Sequence, residues 1–295
     1  MKELNYYILD VFAQKKYKGN PLSVVWLDGD LELFQLKDIA REFGYAETSF
    51  VQYSSNEKAL KVRSFTPSGF EVSGAGHNLL GAVCLGFLKG WNIFREQGGE
   101  QFVIMKDKNI PIVIRYDQTN QPFVGMKQQP ATIVKKIPAE IICKAVGLDP
   151  EVISIKDWEP AIVKTEVAHL MVPVKDNNAL NLASINKPFL DEAAEKFGFQ
   201  GCYLFTIDPI EQDYVAETRF FNPGIGIDED AATGSAAGPL AGYLLQHGYI
   251  QTGNNYTILQ GVQMQQPSTI HVKVTTEGIW VSGTSVIVME GKLYL

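Results

Sequence analysis

Apolar and polar positions along the chain follow two rhythms, and their alternation lays out the elements. Residues 6–12 and 22–26 are dense in β-branched, aromatic and aliphatic side chains and predict two strands joined by a turn at Gly19, Asn20 and Pro21. Asp28 to Asp30 end the second strand. Residues 33–43 then place Leu33, Leu36, Ile39, Ala40 and Phe43 at helical spacing with charges between them, an amphipathic helix that Gly44 is placed to stop. Strands are predicted at 48–53 and 60–65. Residues 79–88 are apolar nearly all round, the pattern of a helix buried in the middle of a domain.

The second half continues in the same way. Residues 102–126 alternate like strands around a polar stretch at 116–122, a candidate crossover between halves. Residues 139–146 predict a helix closed by Gly147, 161–174 predict strands, 185–197 an amphipathic helix and 201–207 a strand. Strands at 256–259, 268–274 and 279–293 end the chain, separated by Gly261, Gly278 and Gly291. Each half offers mostly antiparallel strands and one apolar helix, an α+β layout.

One stretch occurs twice. Arg63, Phe65 and Pro67 lead through Glu71 to Gly74, Ala75, Gly76 and His77, and the apolar run that follows ends at Gly90. Arg219, Phe221 and Pro223 lead through Asp228, Glu229 and Asp230 to Thr233, Gly234 and Ser235, and the run ends at Gly248. The repeat predicts two similar units, each with a strand, a glycine loop and a helix. Loop amides that open a helix have no partner inside it and attract an anion, so two facing loops would cradle a small carboxylate.

Composition narrows the class. With 295 residues, 45% of them hydrophobic and 20% charged, the chain fits about two ordinary globular domains. A net charge of -7 argues against a phosphate-neutralising surface, so no nucleic-acid partner is expected. No signal pattern opens the chain, and its longest apolar run is far short of the roughly 20 residues of a membrane span, so a cytoplasmic protein with no membrane partner is expected. Cys84, Cys143 and Cys202 lack metal spacing, and their odd number argues against a disulfide framework; all three are read as small core residues. His169, His247 and His271 show no ligand spacing either, and no metal is predicted.

Glu47 stands at a predicted helix-to-strand junction. It is either a solvated surface acid or a general acid/base whose pKa burial beside Phe43, Tyr45 and Phe50 would raise. His77 opens the first buried helix, where the macrodipole disfavours an imidazolium; it either packs and caps the turn or meets a substrate as a neutral ring. Asp230 and Ser235 flank the second loop, as capping groups or as site groups. Three familiar motifs fail. Leu79 occupies the third glycine position of a dinucleotide fingerprint, Ser235 directly follows Gly234 and so cannot form a G-x-S-x-G elbow, and no Walker loop is present.

Taken together, Asp10-Val11-Phe12, Gly19-Asn20-Pro21-Leu22, Glu47-Thr48 with Phe50, Phe65-Thr66-Pro67, Ala75-Gly76-His77, Glu229-Asp230 with Thr233-Gly234-Ser235-Ala236, Gln260-Gly261 and Pro267-Ser268 resemble the PhzF-like isomerase family of phenazine biosynthesis. That family has the diaminopimelate-epimerase fold. The resemblance implies two pseudo-symmetric domains, 1–118 plus 281–295 and 119–280, each a curled, barrel-like, mostly antiparallel sheet around a central helix, with the active site in the cleft between them. It implies that Glu47 moves a proton while His77, Asp230 and Ser235 line the pocket and help place or relay it. Asn20, Gly74, Gly76, Asn78, Thr233 and Gly234 are the expected substrate contacts. No cofactor and a homodimer are also implied. The implied chemistry is isomerisation of a hydroxylated dihydroanthranilate. Asn78 departs from the family, where proline is usual after the Gly-His pair, and Val72, Ser73 and Gly74 stand where bulkier apolar residues are usual. The two thiols of the related epimerases would fall near Ser73 and Ala231, neither of them cysteine. The alternatives are a non-catalytic small-molecule binder of this fold and a thiol-dependent epimerase or racemase.

Overall fold

The computed structural model describes residues 2–72, 74–91, 94, 101–116 and 121–295. The chain forms two compact units, Met1–Lys127 with Ser282–Leu295, and Gln128–Val281. Among the described residues, no helix is long and apolar enough to cross a membrane.

In the first unit, β1 (Glu3–Val11) pairs antiparallel with β2 (Asn20–Trp26), and β2 pairs parallel with β3 (Thr48–Ser54) across helix α1 (Leu33–Phe43). The amphipathic pattern is realised: α1 buries Leu36, Ile39 and Ala40, Glu32 and Gln35 form a capping box, and Gly44 ends the helix at φ 69° with its amide on the Ala40 carbonyl. β4 (Ala59–Phe65) pairs antiparallel with β3 and with the short β5 (Glu71–Val72). Helix α2 (His77–Leu88) has ten of its twelve residues buried, as its apolar composition requires. A Cβ at Gly81 would lie 2.6 Å from the Leu22 side chain and 2.8 Å from Val11, so this glycine sets how closely the helix approaches the sheet. β6 (Gln101–Met105) lies parallel to β4, and β7 (Lys108–Tyr116) and β8 (Pro122–Gln128) follow as antiparallel neighbours. Of the candidate crossover at 116–122, residues 117–120 lie outside the described residues; Tyr116 and Pro122 are strand ends.

The second unit repeats this plan. β9 (Thr132–Lys136) and β11 (Ala168–Pro173) flank β10 (Ala161–Lys164), both antiparallel to it; helix α3 (Ala139–Val146) intervenes and ends at Gly147, φ 65°. Two helices follow, α4 (Asn177–Leu182) and α5 (Lys187–Phe197), before β12 (Gly201–Thr206) pairs parallel with β11. The pattern does not announce α4: it is six residues long, and Asp176 caps it by accepting the Ala179 amide at 2.8 Å. β13 (Ala216–Asn222) and β14 (Ile227–Asp230) form the second hairpin, and α6 (Gly234–Gln246) is the second buried helix. β15 (Asn255–Gln260) lies parallel to β13, followed by the antiparallel β16 (Ser268–Thr275) and by β17 (Gly278–Gly283). The last strand, β18 (Ser285–Tyr294), belongs to the first unit and pairs with β1. Gly291 does not separate strands as expected. It lies inside β18 opposite Tyr6, whose ring occupies the space a side chain would need.

The same fork braces each hairpin. Arg63 Nε and Nη2 donate to Glu71 at 2.8 and 3.0 Å, and Arg219 Nε and Nη2 donate to Glu229, both at 2.9 Å. Of the three acids of the second copy, Glu229 is therefore the counterpart of Glu71. Asp228 pairs with Lys187 at the surface, and Asp230 is buried. The two extra residues lie before the fork, where Pro223–Ile225 make a 3-10 turn closed by Gly226 at φ 86°. Arg219 also donates to the Leu180 and Ala183 carbonyls at the end of α4, at 3.1 and 2.9 Å. Arg63 is more exposed, with 45% of its side chain accessible against 11% for Arg219. Arg219→Met should therefore lower unfolding free energy by about 3 kcal/mol, and Arg63→Met by less than about 1 kcal/mol, both measured by urea denaturation.

Candidate active site

Glu47 follows the turn after α1 and precedes β3, and only 7% of it is exposed, so the solvated reading does not hold. Two residues on, Ser49 bonds Ser64 across the ladder at 2.8 Å and donates to the Asn78 carbonyl in the first turn of α2 at 3.3 Å. Glu47 itself lies one residue before β3 begins. The second unit departs here. Thr48 opposes Phe65 and Cys202 opposes Phe221, so the residue corresponding to Glu47 is Gly201. Ser64 corresponds to Phe220, whose ring fills the place where any side chain at 201 would begin. The repeat carries its junction carboxylate once.

His77 is the first residue of α2 and 3% exposed, and its Nε2 is buried with no hydrogen-bond partner. Burial pulls its pKa from 6.5 to about 3, so the ring is neutral throughout the physiological range. The neutral ring expected from the macrodipole is thus secured by desolvation.

The loop before His77 is tied by Asn78. Its Oδ1 accepts the Gly76 and Leu79 amides, each at 2.8 Å, and its Nδ2 donates to the Gly74 carbonyl at 3.1 Å. The Gly76 amide is therefore occupied, which corrects the expectation that it faces an anion; helix geometry leaves the amides of His77 and Asn78 without intrahelical partners instead. Ser73 lies outside the described residues.

The second loop is tied from a distance. Gln260, fully buried at the end of β15, accepts the Thr233 amide at 3.0 Å and donates to the Asp230 carbonyl at 2.7 Å and to Thr233 Oγ1 at 3.0 Å. Thr233 Oγ1 donates in turn to Asp230 Oδ2 at 2.5 Å. Tyr203 donates to Gln260 Oε1 at 2.8 Å and accepts from Thr218 at 3.0 Å. Asp230 and Thr233 are buried, Gly234 opens α6, and Ser235 is half-buried in its first turn. Gln128 adds a bond to the Gly234 carbonyl at 2.9 Å and is itself bonded by Thr165. Pro239 lies inside α6 and has no amide to return to the Ser235 carbonyl. Residues 74–78 thus form one cluster and 230–235 with Gln260 another. Asn20, buried at the start of β2, faces Val11 in the ladder. Nearby, the buried Asp10 carboxylate accepts the Tyr17 amide and shapes the 12–19 turn, burial holding its pKa above the usual value. The site residue least legible in the sequence is Gln260, because its partners lie 27 to 57 positions away.

Cys84 and Cys202 are core residues as expected, whereas Cys143 is half-buried and donates to the Glu140 carbonyl. Burial pushes the Cys84 thiol up to about 12 and raises Cys202 further, conditions that suppress thiolate. Ala231 is buried and has no thiol to offer. Among the described residues, no group of three or more His, Cys, Asp or Glu side chains is placed to hold a metal. Iodoacetamide applied to the native protein should label Cys143 and spare Cys84 and Cys202, as read by peptide mass spectrometry. His77 supports a second prediction. The unfolded chain protonates this ring near 6.5 and the folded protein only near 3, so the stability it contributes is complete above about pH 6.5 and lost as pH falls toward 3. His77→Phe should flatten that acid limb in urea midpoints measured against pH.

Comparison with known proteins identifies the family. The family model described as phenazine biosynthesis-like protein (PhzC-PhzF) matches residues 9–291. An uncharacterized isomerase of Mesorhizobium japonicum is 30% identical, with all of both chains covered. The trans-2,3-dihydro-3-hydroxyanthranilate isomerase of Pseudomonas fluorescens is 31% identical, with 99% of each chain covered. The crystal structure of a PhzF-family phenazine biosynthesis protein from Bacillus anthracis covers both chains fully at a TM-score of 0.88 and 23% identity, which shows the fold. The chain belongs to the PhzC-PhzF phenazine biosynthesis-like family and is an isomerase with that family's α+β fold.

Proposed function

We propose that this isomerase shifts a proton on a small carboxylate of the trans-2,3-dihydro-3-hydroxyanthranilate type, with Glu47 as its general acid and base. The observation that carries this reading is the buried Glu47 carboxylate, two residues before the Ser49 hydroxyl that bonds the first turn of α2, the helix that begins at the neutral His77. In the proposed step the Glu47 carboxylate takes a proton from one ring carbon and the resulting acid delivers it to another. Proton and charge return to their starting state with no change of oxidation level, so the step needs no cofactor. The amides of His77 and Asn78 hold the substrate carboxylate at the positive end of α2. His77 Nε2, buried and without a partner in the protein, bonds the substrate as part of a neutral ring. Asp230, held by Thr233, and Ser235, at the start of α6, serve the same reaction by placing or relaying the proton. A homodimer belongs to this reading through the family resemblance.

The relatives named for the dihydroanthranilate support the choice of substrate class. A two-thiol reaction has less support, because Cys84 and Cys202 are buried with raised pKa values. The test is proton NMR in heavy water with trans-2,3-dihydro-3-hydroxyanthranilate. Wild type should form product with loss of a carbon-bound proton signal, and Glu47→Gln should lower kcat about 10²- to 10⁴-fold with its fold intact. Full activity in Glu47→Gln would remove that carboxylate from the mechanism, and binding without exchange by wild type would favour a non-catalytic binder.

A further inference from the structure

A shared device emerges from the two loops. In each, the amide just before the buried helix's unpartnered amides is captured by a carboxamide oxygen: Gly76 N by Asn78 Oδ1 at 2.8 Å, and Thr233 N by Gln260 Oε1 at 3.0 Å. In each, the same carboxamide's NH2 group grips a carbonyl two or three residues upstream of that amide, Gly74 or Asp230, at 3.1 and 2.7 Å. One carboxamide is two residues from the amide it holds and the other 27, so the two repeats reach the same bonding by unrelated positions. Both side chains are almost wholly buried, at 1% and 0% exposure.

We propose that Asn78 and Gln260 are positioning residues, each locking the loop that leads into its buried helix. This rests on the isomerase reading above and reassigns Asn78, expected to touch substrate, to the support of the loop. Both amide atoms of Asn78 are spent on Gly74, Gly76 and Leu79. Gln260 carries a second task, because it also holds Thr233 Oγ1, the group that donates to Asp230. The division of labour follows from what each loop holds. Asn78 sets the amides of α2 that hold the substrate carboxylate, and Gln260 sets Asp230, which acts in proton transfer.

The two roles separate kinetically. The experiment measures kcat and KM on trans-2,3-dihydro-3-hydroxyanthranilate and, independently of turnover, calorimetric affinity for the aromatic analogue 3-hydroxyanthranilate. The variants are Asn78→Ala, Asn78→Asp, Gln260→Met and the isosteric Gln260→Glu, each accompanied by its thermal midpoint. The Asn78 variants should weaken the analogue and raise KM about tenfold or more with kcat nearly unchanged; the Gln260 variants should lower kcat about tenfold or more with analogue affinity nearly unchanged. Gln260→Glu keeps the acceptor for Thr233 and Tyr203 and lacks the NH2 donor, so it carries the test on its own if the thermal midpoint of Gln260→Met collapses. Wild-type parameters in the Asn78 variants and Gln260→Glu would overturn the proposal. So would losses of kcat and KM together that merely track a fallen thermal midpoint. Failure of the isomerase reading shows separately, as full activity in Glu47→Gln or no turnover by wild type. In that event the calorimetry on the Asn78 variants still decides whether Asn78 braces an anion site.

Discussion

A helix buried on all sides has a problem at its N-terminus: its first amides have no partner inside the helix, and water cannot reach them to supply one. α2 and α6 both face this constraint, and the residues around them answer it in the same way. A glycine stands at the entry of each helix, and a side-chain carboxamide accepts the amide of the residue that precedes the helix, Gly76 or Thr233. A carboxylate suits the first amides of such a helix because it brings charge to the positive end of the helix and hydrogen-bond acceptors to groups that lack them.

The loops can serve this purpose only if the hairpins that launch them are held in place. In each unit an arginine reaches over the phenylalanine two residues ahead, 5.1 Å from the ring of Phe65 and 4.9 Å from that of Phe221, and clamps an acid on the return strand. From fork to glycine the two copies have the same length, Glu71 to Gly76 and Glu229 to Gly234, although α2 begins one residue after its glycine and α6 at its own. The divergence lies on either side of the fork. Before it, the second copy inserts a 3-10 turn; across the ladder, Ser64 leaves space where Phe220 fills it. That exchange lets Glu47 be buried in one unit and requires glycine at position 201 in the other. A duplicated scaffold thus carries one junction carboxylate.

Burial also decides which groups can react. Desolvation keeps His77 uncharged and holds Cys84 and Cys202 as thiols, so the same apolar surroundings that prepare a neutral hydrogen-bonding ring disarm the sulfur. His169 is neutral for the same reason, packed edge-on against Phe220, with its pKa drawn down to about 4. The chemistry left to the site is carboxylate and hydroxyl chemistry, which fits the movement of a proton.

Much of this could be read from the sequence, and the part that could not has a common cause. The spacing of Leu36, Ile39 and Ala40 with Gly44, and of Ile142 and Ala145 with Gly147, sets α1 and α3 to the residue, because periodicity and a left-handed stop are local properties. The repeat, the all-apolar helices and the candidacy of Glu47, His77, Asp230 and Ser235 were legible for the same reason, with the family resemblance assigning their roles. The short α4, the Pro239 inside α6 and the continuity of β18 through Gly291 were not, because packing overrides local propensity there. Sequence alone leaves three acids open opposite Glu71, an unobstructed Gly76 amide and a Gln260 that matches the family with no role attached. Tertiary structure decides all three, because each depends on which side chains strand register and loop closure bring within 3 Å of one another.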